Sequence, residues 1–508
     1  MVSTLPAGGD PPLADPPPAD PQQPPADVLD TVEAGPSVIR GSVLRLSGYV
    51  LGTLATVASS AVVIRYLGQT DTAYFLTVTA LVTIVAGVSD VGLSSIAVRE
   101  YSTAMRSEGQ RFLRHMLGIR VTVASTGLLV AVIFSLLVYP AVMVVGTIFA
   151  GVGMVIYVCQ QGISIPLQVQ LRFGWVSGIQ LGYLVGVAIE AVLLALAGAG
   201  LLFFFAMQIP VALVALGVTA VVGGREARIL PTIDTAQWRR MVARIIPYSG
   251  AVVLSVLYFQ IAQVMVSLLS STAQTAYFGV SFRVLSAFTT VPGLVVSSAL
   301  PVLARAARDD TVRFGYASRR LAETMVIAGA GVALAVFLGA GFALRVIGGP
   351  AYESHVVVLR ILSIALLGTF VISARGYPLL SLDRLRTILA SNAVALTIVL
   401  ALGGPLISVY GARGAAIALV VAELTLAACY EFSLSRGQPE RRLTIGFVAR
   451  VAAVALVAGA VPIALGLTPV ESAVVGLAVY APAVLALGLI PVEIREALFR
   501  HRHPAAGV

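Results

Sequence analysis

Three arginines and two glutamates fall inside stretches of this chain that otherwise carry almost no charge: Arg120, Arg283 and Arg375, with Glu190 and Glu423. A guanidinium in apolar surroundings can hold two oxygens of a phosphate at once, and a carboxyl there can take up and release a proton. Polar side chains recur at helical spacing beside them. Tyr157, Gln161, Ser164 and Gln168 follow steps of four, three and four, Gln260, Gln263 and Ser267 steps of three and four, and Arg283, Ser286 and Thr290 likewise, so each set shares one helix face. The cavity candidates are therefore Arg283, Arg375, Arg120, Gln161, Gln260, Gln263, Ser286 and Thr290. Glu423 and Glu190 are the candidates for a coupling ion.

Each has an ordinary alternative. Arginines can snorkel to the membrane interface, the favoured reading for Arg120 near the end of its span, and a competing one at Arg283 and at Arg375, where Pro378 is expected to break the helix. The glutamines can mark helix interfaces. Glu190 and Glu423 can neutralise an arginine, and Asp90 can cap a helix or bind Arg99.

The elements that carry these residues follow from composition. Hydrophobic residues are 58% and charged residues 11% of 508, against about 25% charge in soluble chains. This predicts an all-α polytopic membrane protein. Since a spanning helix takes about 20 apolar residues, the chain divides into about fourteen spans, from 43–65 to 471–491. Every basic residue is Arg. With the N-terminus inside, arginines crowd the even joints and both ends, while the outer joints hold only Arg65, Arg345, Arg360 and Arg413. That bias predicts two cytoplasmic termini and contact with anionic lipids.

The tetrapeptide TAYF opens the second span at Thr72 and the eighth at Thr275. This suggests two six-helix lobes in parallel repeat, at 37–222 and 247–434, joined by a cytoplasmic linker at 223–246. Residues 435–508 then add a helix pair and a tail. Residues 1–36 are Pro-rich and acidic with no base, and are expected to be disordered. Cys159 and Cys429 lie in apolar runs and the four histidines are scattered, so no metal site, nucleotide fingerprint, cofactor or nucleic-acid partner is expected.

Five segments resemble a family. LGQTDTAYF with DVGLSSIAVREY, then TAYFGVSFRVLSAFTTVPGLVVSSALPVLAR, GGPAYESHVVVLRILSIALLG and ISVYGARGAAIALVVAELTL are similar, in order and spacing, to the Wzx-type polysaccharide flippases of the multidrug/oligosaccharidyl-lipid/polysaccharide exporter superfamily. The resemblance spans residues 40–434 and implies fourteen spans in a bacterial cytoplasmic membrane. It also implies alternating access for a polyprenyl-pyrophosphate-linked oligosaccharide and work alongside glycan polymerase or ligase machinery. It carries over no catalytic residue, and the protein is not expected to be an enzyme. Three other readings stand beside it: a drug exporter of the same superfamily, a membrane glycan polymerase or ligase, and a scaffold that has lost transport.

Overall fold

The computed structural model describes residues 34–90, 106–170, 172–224, 231–232, 234–293, 295–296, 303, 311–436 and 438–491. The Pro-rich segment up to residue 33, most of DVGLSSIAVREY with Arg99, the linker residues 225–230 and the C-terminal tail lie outside them. Every element of the described chain is helical.

α1 runs Ala34–Asp90 and is broken at Gly68, whose φ of 72° places it in the left-handed region where glycine carries no Cβ penalty. Its two arms hold the first two expected spans. The first half continues with α2 (Arg106–Val138), α3 (Ala141–Ile163), α4 (Ile165–Val169), α5 (Phe173–Leu196), α6 (Leu201–Ala206) and α7 (Gln208–Val222). The second half holds α8 (Thr235–Leu269), α9 (Thr272–Thr289), α10 (Thr311–Leu338), α11 (Ala340–Ile347), α12 (Pro350–Glu353), α13 (Val356–Ser381), α14 (Leu385–Tyr410) and α15 (Ala412–Ser435). After a 3₁₀ turn at Pro439–Arg441 come α16 (Ile445–Ala464) and α17 (Pro469–Ala486).

Among the described residues, twelve helices are long and apolar enough to cross a membrane, one of them the 40-residue piece Leu51–Asp90 that contains the Gly68 break. Counting its arms separately and adding α9, the described part of the eighth expected span, every one of the fourteen stretches finds a helix.

Local chemistry explains several boundaries. Pro140 stands at the N-cap of α3, where its missing N–H costs nothing, and Ser271 caps α9 by accepting from the Gln274 N–H. Thr468 and Glu471 close a capping box on α17. One expectation needs correction. α13 does not break at Pro378 but continues to Ser381; the proline lies so near the C-terminal end that little helix remains to disrupt. The linker is also helical in its second part, since α8 begins at Thr235. There Trp238 and Met241 pack on Leu113 and Met116 of α2, Asp234 accepts from the Gln237 N–H at 3.1 Å, and the Thr232 N–H donates to the Arg114 carbonyl at 3.1 Å.

The largest core cluster joins α8, α9, α13, α14 and α15 and takes in Ile64, Ala73 and Leu76 from the break in α1. Both TAYF copies lie at helix starts on the arginine-poor end: Thr72, just past Gly68, and Thr275, in the first turn of α9, are both buried. α1 packs against α8 and α9, so the two halves meet along it.

Candidate functional site

Arg283 lies within α9 at the contact between the halves. Its Nε donates to Ser60 Oγ of α1 at 2.8 Å, and Ser60 passes its own proton to the Thr56 carbonyl at 2.8 Å. Among the described residues no carboxylate pairs with this guanidinium. It is half-buried, so its two terminal nitrogens remain for another acceptor. Ser286, one turn on, is half-buried and bonds back to the Phe282 carbonyl, whereas Thr290 is exposed at the C-cap. Gln260 of α8 is half-buried and makes no hydrogen bond to a described residue.

The other two arginines have partners. Arg375 is 0% exposed: its Nε lies 2.6 Å from Glu431 of α15, Nη1 donates to Ser318 Oγ of α10 at 3.1 Å, and Nη2 donates to the Arg441 carbonyl at 2.9 Å. Glu431 also accepts from the Leu443 N–H at 2.8 Å. Snorkelling, one of the two readings of Arg375, does not occur, since its head points into protein and ties α10, α13, α15 and the approach to α16 together. Arg120, also 0% exposed, pairs with Asp90 at 2.8 Å and donates to Gln161 Oε1 at 3.4 Å. Asp90 thus reaches Arg120, whose head is held inside the protein and does not snorkel as expected; the partner expected of Asp90, Arg99, falls outside the described residues.

The glutamine stripes divide. Gln263 is buried and donates to the Thr275 carbonyl at 3.3 Å, and a Cβ on Gly279 would meet it at 3.0 Å; it is a joint between α8 and α9. From the end of α3 into α4, Ser164 donates to the Gln161 carbonyl and Gln168 to Ser164 Oγ, while Tyr157 of α3 stacks on Tyr183 of α5 with centroids 4.3 Å apart. Glu190 is half-buried near the end of α5, with no partner among the described residues. Glu423 is 1% exposed and meets two hydroxyls: Tyr258 donates to Oε1 at 3.0 Å, and Thr369 lies 3.3 Å from Oε2.

Sequence reasoning missed Ser60, Tyr258, Thr369 and Tyr139. Ser267, the last member of the α8 stripe, contacts Tyr139 at 2.7 Å across the halves, so the stripe itself pointed to that pair. Spacing along one helix could not name its partner.

A groove of about 980 Å³ runs between α10, α13, α15 and α16. Leu334, Leu367, Val371, Leu424, Ala452 and Ile463 are typical of its wall, and only Ser363 and Glu431 add polar side chains.

The architecture is that of an all-helical polytopic membrane protein. The chain aligns with the structure of the lipid II flippase MurJ in an inward closed conformation at a TM-score of 0.68 and 15% identity, over 91% of this chain and 100% of that one. An inward-facing multidrug resistance MATE transporter of the MOP superfamily aligns at a TM-score of 0.61 and 12% identity, over 79% and 99%. A MOP superfamily transporter from Pyrococcus furiosus aligns at 0.55 and 15%, over 80% and 96%. No protein-family model and no curated protein sequence matches the chain. At these identities the likeness establishes the fold.

Proposed function

We propose that this protein is a flippase that moves a polyprenyl-pyrophosphate-linked oligosaccharide from the inner to the outer leaflet, by alternating access between its halves. The observation that carries this reading is Arg283, a half-buried cation between the halves that no described carboxylate neutralises. In a low-dielectric cavity a guanidinium binds a pyrophosphate far more strongly than at a surface. Ser286 and Gln260 supply hydroxyl and amide groups of the kind a sugar needs. The groove against α16 supports a lipid cargo, because it is large and almost wholly apolar and can hold prenyl units while the headgroup crosses. The MurJ structure, described as a lipid II flippase, aligns over 91% of this chain, against 79% for the MATE transporter.

A drug exporter, the alternative that the multidrug resistance MATE likeness also allows, fits less well if its cargo is cationic, because a positive charge lies between the halves. The topology proposed with this function puts both termini and the arginine-rich end in the cytoplasm.

The test replaces the cell's own copy with Arg283 variants and measures inner-leaflet lipid-linked oligosaccharide beside the membrane level of each protein. Arg283→Lys keeps the charge and loses the fork, so partial transport is expected. Arg283→Ala and Arg283→Glu should stop transport and let the lipid-linked intermediate build up. A well-assembled Arg283→Ala protein transporting at the normal rate would overturn the assignment.

A further inference from the structure

Glu423 is a buried acid that the cargo reading leaves unused. It sits in α15, surrounded by α8, α9, α13 and α14. Tyr258 faces it from α8 and Thr369 from α13. Further along α15, Tyr430 is occupied by Asn392 of α14 at 3.0 Å, and α9 contributes apolar members of the same core, Phe278 and Leu285 among them. No arginine pairs with Glu423 among the described residues.

The hydroxyl geometry accommodates a neutral carboxyl. Thr369 Oγ1 lies 3.2 Å from the Ala365 carbonyl and 3.3 Å from Glu423 Oε2, and a hydroxyl has a single proton to give. With that proton on the Ala365 carbonyl, the threonine turns a lone pair toward Oε2. The contact is then a hydrogen bond only if Oε2 itself carries hydrogen. Tyr258 meanwhile donates to Oε1, so a neutral carboxyl has both oxygens satisfied. An ionised one would be a buried charge without a counter-ion, an arrangement proteins avoid.

We propose that Glu423 is a proton-binding site of the transport cycle, occupied in the conformation seen here with Oε2–H donating to Thr369. The proton leaves to water when α8 shifts against α15 and withdraws Tyr258. The link to the cycle lies in α8 itself, because the helix that presents Tyr258 also presents Ser267, which contacts Tyr139 of the other half. This inference rests on the reading of the protein as a transporter, though not on the identity of its cargo.

The test is infrared spectroscopy of the purified full-length chain in lipid at neutral pH, which needs no substrate. A protonated carboxyl gives a carbonyl stretch that the carboxylate lacks. The band should be present in the natural protein, absent from Glu423→Gln, and displaced in Thr369→Val and Tyr258→Phe, which keep the carboxyl but remove one partner. In vesicles, Glu423→Gln should then lose the response of transport to an imposed proton gradient. Identical spectra for the natural protein and Glu423→Gln, or a band unmoved by both partner substitutions, would overturn the proposal. So would radioactive sodium bound by the natural protein and lost in Glu423→Gln, which would make the site one for a metal cation. Failure here leaves the Arg283 result untouched, so the two readings fall separately.

Discussion

Three intramembrane arginines of similar appearance turn out to be in different situations. Arg375 is enclosed and engaged by Ser318, Glu431 and the Arg441 carbonyl, Arg120 is held by Asp90, and Arg283 has a single serine. Arg375→Ala should therefore act on stability first. Leaving the half-buried Glu431 unpaired beside a void is expected to cost up to about 3–5 kcal/mol, and converting both members to apolar residues of similar size should recover much of it. The check is thermal inactivation in detergent extracts of Arg375→Ala, Glu431→Leu and the Arg375→Met, Glu431→Leu pair; a double variant no better than the singles would mean the ion pair contributes more than its desolvation costs. The positions of these charges were legible in the sequence, since hydropathy alone shows which arginines lie within a span. Their engagement was not. Ser318 and Glu431 are brought to Arg375 by helices far apart in the chain, and no periodicity along α13 encodes them. For the same reason the stripe holding Gln260 and Gln263 could be read as one face, yet not divided into an open amide and a helix joint.

At the scale of elements, the turn between α14 and α15 shows what the segment YGARGAA does. Gly411 has a φ of 57°, its absent Cβ would lie 2.8 Å from Gln274 Oε1, and a Cβ on Gly414 would collide with the Leu406 carbonyl. Gln274 in turn accepts from the Ala412 N–H at 3.0 Å, fastening this turn to the start of α9. Gly414→Ala should accordingly destabilise the protein by roughly 1–3 kcal/mol through overpacking. Gly404→Ala, on the same helix as Leu406 but with open space around it, should be neutral or mildly stabilising. Equal thermal midpoints for the two variants would show that the close approach is not rigid. The start of α13 offers a pH test. His355 stacks on Tyr277 with centroids 3.4 Å apart, and burial, with the nearby Arg413 cation, holds its proton affinity below the ordinary histidine value. A histidine so depressed is protonated more readily in the unfolded chain, so its contribution to stability is kept above pH of about 6.5 and lost as the pH falls below it. His355→Phe should keep the stack and lose this acid sensitivity, as seen by comparing thermal midpoints on either side of that pH.

For the whole molecule, the contacts between halves describe one conformation of the proposed cycle. At the arginine-poor end Tyr139 meets Ser267 at 2.7 Å, and Arg65 Nη2 donates to the Arg345 carbonyl at 2.8 Å. Deeper along α1, Arg283 is bonded to Ser60, and toward the arginine-rich end a Cβ on Gly87 would come within 2.6 Å of Val256. The halves are thus in contact at the arginine-poor end and also well below it. Alternating access requires the Tyr139–Ser267 contact to part in every cycle. With Cys159 and Cys429, which are free, first replaced by serine, Tyr139→Cys and Ser267→Cys in one chain can be bridged by a short cleavable bis-thiol reagent. Bridging should abolish transport, cleavage of the reagent should restore it, and either single cysteine treated alike should remain active. Undiminished transport by the bridged protein would mean that this end of the molecule never opens, and the cargo would have to leave by another path.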